Sequence, residues 1–207
     1  VNASRTVYVI AIAAVALAGV FGAAYLLKMP PFSDDPGHIE ANEVCKSLGP
    51  TSQAVDALRS VLPEESSYSF NDDVSVRVDN HDDSYRSDCF VSAGGRQLLG
   101  ARTQMMRDEP TQSWIDGEVA QVAGERNQLR PFSAEVRGVA SSSVAAVFLP
   151  CASAGNIPGG QYNLSVVIHL EEAGKAENTE TRAGLIELAK SAATLAHDRA
   201  KCDISLS

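Results

Sequence analysis

The sequence predicts an α+β protein. A single N-terminal transmembrane helix is followed by one ectodomain, with two pseudo-repeated β-hairpin/helix halves and an antiparallel sheet packed by helices. Three observations predict it. Residues 6–27, TVYVIAIAAVALAGVFGAAYLL, run without a charge, an amide or a proline. Beyond them, apolar residues alternate with period two in several short stretches and recur at helical spacing between those stretches. The four cysteines, Cys45, Cys89, Cys151 and Cys202, all lie past the apolar segment.

At about 1.5 Å per helical residue the segment reaches roughly 33 Å, enough to cross a hydrocarbon core of about 30 Å. A helix is the form one such segment takes in lipid, because it satisfies its own backbone groups. The apolar core exceeds the roughly 7–15 residues of a signal peptide. The small-residue site near Gly22–Ala24 is followed by Tyr25, Leu26 and Leu27 instead of a polar start. These features favour a retained signal-anchor over a cleaved leader. Arg5 and Lys28 flank the segment almost evenly. The short tail and the acidic, cysteine-containing domain favour a single-pass cell-membrane protein, N-terminus cytoplasmic and C-terminal domain extracellular. Ala14, Ala18 and Gly22 stand four apart and offer a small-residue face for a weak dimer. The domains are then 1–28, tail and anchor; 29–39, a Pro/Asp-rich linker; and 40–207, the extracytoplasmic α+β domain.

The chain carries 17 basic and 26 acidic residues, a formal net charge of −9. Without Arg5 and Lys28, the ectodomain holds 15 basic against 26 acidic residues, or −11. That balance, with no basic cluster, argues against nucleic acid and anionic lipid surfaces as partners.

In order, residues 40–62 read as helix interrupted at Gly49-Pro50, with Ala54, Val55, Leu58, Val61 and Leu62 on one face. Val74, Val76 and Val78 then alternate with polar residues, which predicts a short strand with one buried face. Within the acidic stretch 72–88, residues 79–88, with His81 among them, lack the glycine and distal glutamate of a calcium loop and read as a solvated loop. Tyr85–Ala93 and Leu98–Met106 predict a hairpin turned at Gly94-Gly95-Arg96-Gln97. Pro110 and Thr111 open a helix carrying Trp114, Ile115, Val119 and Val122, with Trp114 as a core anchor. A polar joint, 124–131, precedes strands at 136–140 and 143–152. A turn over 153–160 leads to the alternating strand Tyr162–Leu170. The last helix aligns Leu185, Leu188, Ala192, Leu195 and Ala196.

Hairpin, then helix, occurs at 85–123 and again at 143–201, with Cys89 and Cys151 each in a first strand. No C-x-x-C spacing is present, so the cysteines suit structural disulfides in an oxidising compartment better than zinc. Of three possible pairings the simplest is Cys45–Cys89 with Cys151–Cys202, each bridge pinning a helix to its own half.

The motifs Val44-Cys45-Lys46-Ser47-Leu48, Asp88-Cys89-Phe90, Leu149-Pro150-Cys151 and Ala200-Lys201-Cys202 follow an export segment. In that order the chain resembles small secreted or lipid-anchored envelope proteins of unknown function from actinobacteria. Some of those proteins resemble the PsbP-like α/β/α sandwich. The resemblance spans about residues 42–202 and implies envelope association with no known catalysis. The chain departs from the lipoproteins in lacking a lipobox cysteine.

No catalytic motif stands out. His38, His81, His169 and His197 have no second ligand at metal spacing. His169, between Ile168 and Leu170, is expected on the surface. The segment Asn163-Leu164-Ser165, formally a glycosylation sequon, falls inside an expected strand. The reading calls for no catalytic residues, no metal and no cofactor. The expected function is a membrane-anchored binding or scaffolding protein of the bacterial cell envelope, holding an envelope protein or a small apolar ligand. The alternative is an envelope hydrolase using carboxylates of the acidic 72–88 stretch.

Overall fold

The computed structural model describes residues 37–123, 128–133 and 137–205. The apolar segment 6–27, Ala14, Ala18 and Gly22 within it, and most of the linker lie outside the described residues. Among the described residues no helix is long and apolar enough to cross a membrane.

A 3-10 turn at Lys46–Leu48 precedes helix α1, Thr51–Val61. The expected helix over 40–48 is reduced to that turn, preceded by a hydrogen-bonded turn at 41–43 and ended by Gly49 at φ +107°. Then come β1 (Ser69–Ser75), β2 (Arg86–Ala93) and β3 (Arg96–Arg107). Helix α2, Thr111–Trp114, runs into a π-helical turn at Ile115–Val119. Strands β4 (Arg130–Ser133), β5 (Arg137–Ala140), β6 (Val144–Ile157) and β7 (Gly160–Leu170) follow, and α3, Asn178–Arg199, closes the order. The seven strands form one antiparallel sheet in the order β1-β2-β3-β7-β6-β5-β4.

Strand alternation decides how the two faces are covered. On one face Cys89, Val91, Ala101, Val147, Leu149, Leu164, Val166 and Ile168 meet Leu58, Val61, Leu185, Leu188 and Ala192 of α1 and α3. On the other face Val144, Ala146, Phe148 and Val167 meet Trp114 and Val119 in a smaller core. Strands β6 and β7 are therefore buried on both faces, which explains their near-continuous apolar sequence. Strands β2 and β3 are apolar on one face only. Their second face carries Asp88, Phe90, Arg102 and Gln104, and the short α2 segment does not reach across all of it.

Two disulfides tie the helical layer to the sheet. Cys45 bonds Cys89 of β2, and Cys151 of β6 bonds Cys202 just past α3, with Cα–Cα separations of 6.0 and 4.4 Å. No described cysteine is free.

The structure corrects further sequence expectations in this region and beyond it. Val76 and Val78 are not on a buried face; they are 61% and 87% exposed, and β1 ends before them. Arg77 between them is the buried residue. Its guanidinium donates to the carbonyls of Asn80, Asp82 and Ala200, so the chain turns the charge inward and the valines outward. The connection at 153–160 is mostly strand, because β6 continues to Ile157 before a tight turn at Pro158 and Gly159. The end of the expected polar joint, 130–131, belongs to β4, paired with β5.

Candidate functional site

The half-covered second face forms a cleft of about 160 Å³ between β2, β3 and β7 on one side and the π-helical turn with its continuation on the other. Cross-strand register builds its floor. Asp88 pairs with Arg102, which pairs with Val167; Phe90 pairs with Gly100, which pairs with His169. These residues share one face, so their side chains meet. The far wall is Glu118, Gln121 and Val122. It is held to the floor by Gln104 Nε2 donating to Glu118 Oε2 at 2.9 Å. Below, Trp114 stacks on Phe148 at 5.1 Å and donates its indole N–H to Ser165 Oγ at 2.9 Å. The helix that makes the wall is thus fixed by its aromatic anchor.

Asp88 is the electrostatic centre of the floor. Its carboxylate accepts from Arg86 Nε at 2.6 Å and from Arg102 Nε at 2.8 Å, with only 13% of its side chain exposed. Burial pushes the carboxyl upward, but hydrogen bonds and charge from Arg86 and Arg102 outweigh that and hold it below the ordinary aspartate range. Such a group is an anchor for arginines and a poor general acid near neutral pH.

His169 does point away from the face of Ile168 and Leu170, as alternation requires, yet it is not a surface residue. Only 19% of its side chain is exposed, and Nε2 stands 3.1 Å from Glu171 Oε1. Burial lowers its pKa below the ordinary histidine value; Glu171 opposes this and the nearby Arg102 charge reinforces it. Strand alternation gives the direction of His169, but the second face it points to is not open solvent.

The other sequence-named residues are scattered. Asp72 lies on the opposite face of the sheet from Asp88 and accepts the backbone N–H groups of Lys46 and Ser47. Asp79 and Asp82 close the loop around His81, Asp82 accepting from the backbone of Val78 and Ser84. Asp73 faces Asp88 across the β1–β2 pair and is the one carboxylate of the stretch brought beside it. His38 is exposed, and His197 Nε2 sits 2.7 Å from the carbonyl of Ile204. Among the described residues no group of three or more His, Cys, Asp or Glu side chains is placed to hold a metal ion.

A wider groove of about 480 Å³ runs between α1 and α3, where Gly184 lets the helices approach. A β-carbon at Gly184 would lie 2.5 Å from Ser60 Oγ. We favour the smaller cleft as the site because charged, aromatic and histidine side chains converge there. Sequence reasoning missed Arg102, Gln104 and Glu118, and gave Val122 only a place on a helix face. The available signal was the polar alternation of β2 and β3 opposite their apolar face, interrupted by Phe90.

No family model, no curated protein and no solved structure matches this chain.

Proposed function

We propose that the chain is a membrane-anchored, extracytoplasmic binding module of the cell envelope. Residues 6–27 anchor it with the N-terminus inside, and the two hairpin/helix halves, 85–123 and 143–201, together form its binding domain. The ligand occupies the cleft on the half-covered face. The observation that carries this reading is the asymmetry of the second face. Among the described residues, helix and π-helical turn seal it over β6 and leave an aromatic and charged floor open over β2 and β3. A binding site needs such an opening, lined by convergent charged and aromatic side chains. Two disulfides support an oxidising, extracytoplasmic location. The hydrolase alternative finds less support, since Asp88 is held ionised by two arginines and Asp72 lies across the sheet from it.

Location is tested with a membrane-impermeant amine reagent on intact cells. Lys175, with 85% of its side chain exposed, and Lys190, with 52%, are labelled without lysis on this reading. Labelling of either only after lysis overturns the outward orientation.

A further inference from the structure

We infer that the cleft takes a small monocarboxylate with an apolar body, about the size of a monocyclic aromatic acid. This rests on the reading of the cleft as the binding site. Size sets the first limit. The volume is about 160 Å³, and cavities of about 150 Å³ accommodate a benzene ring.

Charge sets the second. Two guanidinium groups, of Arg86 and Arg102, share the carboxylate of Asp88, and Asp73 across the β1–β2 pair also attracts Arg86, so the open cationic group on the floor is Arg102. Arg102 reaches Asp88 through Nε, and its terminal nitrogens have no hydrogen-bond acceptor among the described residues. Half of the side chain, 52%, is open. A guanidinium edge held in place on one side and free on the other matches the two oxygens of a carboxylate. Phe90, Val122 and Val167 supply apolar surface beside it. The rim also holds Glu118 and Glu171, engaged by Gln104 and His169 respectively. Those carboxylates repel a dianion more strongly than a monoanion, which disfavours phosphate.

The test is titration of the full chain in detergent with benzoate, benzamide and inorganic phosphate, read by calorimetry and by amide shifts of Phe90, Val122 and His169. The expected result is saturable benzoate binding, with benzamide and phosphate each at least about tenfold weaker, and about tenfold loss in Arg102→Gln. Arg102→Lys, which keeps the charge and loses the fork, falls between. Equal affinity for benzoate and benzamide, or no effect of Arg102→Gln, overturns the carboxylate inference and leaves the cleft as an apolar site. Phosphate binding as tightly as benzoate also overturns it. Absence of saturable binding by all three probes overturns it as well, whereas the cleft reading is judged separately by its protection in membranes. If Arg102→Gln does not melt cooperatively, Arg102→Lys and Phe90→Ala decide, both being expected to weaken benzoate.

Discussion

The imidazole of His169 lies over the bare backbone of Gly100. A β-carbon on Gly100 would stand 2.3 Å from His169 Cε1 and 2.8 Å from Nε2. In an ordinary strand, Gly→Ala favours the fold by about 0.5–1 kcal/mol. At this site the sign reverses. Gly100→Ala is expected to destabilise by about 1–3 kcal/mol, since the ring must leave its place between β3 and Glu171. In Gly100→Ala/His169→Ala the methyl has room, so the double variant is more stable than the sum of the singles predicts. Urea melts of the four proteins measure this coupling.

Two groups of the cleft make stability depend on pH in separate windows. The folded-state pKa of His169 lies below its unfolded value near 6.5, so the unfolded chain binds more protons there. Its contribution is complete above about pH 6.5 and is lost as pH falls toward the folded value. Asp88 is also lowered, so its contribution is complete above about pH 4 and lost as acid protonates it. His169→Gln is expected to flatten only the upper slope. Asp88→Asn flattens only the lower one and costs about 2 kcal/mol at pH 7, because both arginines lose a charged acceptor. Denaturant midpoints from pH 3 to 8 separate the two.

Each disulfide closes a long loop, with sequence separations of 44 and 51 residues. On the chain-entropy account each stabilises by about 4 kcal/mol at most. Cys151→Ser/Cys202→Ser is expected to lower the melting temperature yet retain the seven-stranded sheet, because Asp203 still accepts from Ser153 and Asn156. Circular dichroism and a thermal scan with and without reductant check this. Peptide mapping of the wild type should return only Cys45–Cys89 and Cys151–Cys202.

The α+β class and the β2–β3 hairpin were legible in the sequence because their signals are local. Gly94 and Gly95, at φ +56° and +77°, make the turn that their adjacency suggested. The last helix was legible through Leu185, Leu188, Ala192 and Ala196 on its buried face. Val76 and Val78 misled because their alternation matches a strand, while the decisive partners of Arg77 are carbonyls, one of them at Ala200. No local pattern reports such a distant acceptor. The cleft was hidden for a related reason. Asp88, Arg102 and His169 come from three strands, and only their register places them on one floor. Nor does sequence show where a short helix stops covering a sheet.

The central claim is that the open floor of β2, β3 and β7 is occupied in the envelope. Hydroxyl-radical footprinting compares the full chain in native membranes with the same chain purified in detergent. The account predicts protection of Phe90 and His169 in the membranes, with equal oxidation of Val78, which lies 87% exposed in the loop after β1. Equal oxidation of Phe90 and His169 in both samples, or protection confined to Val78, would contradict it.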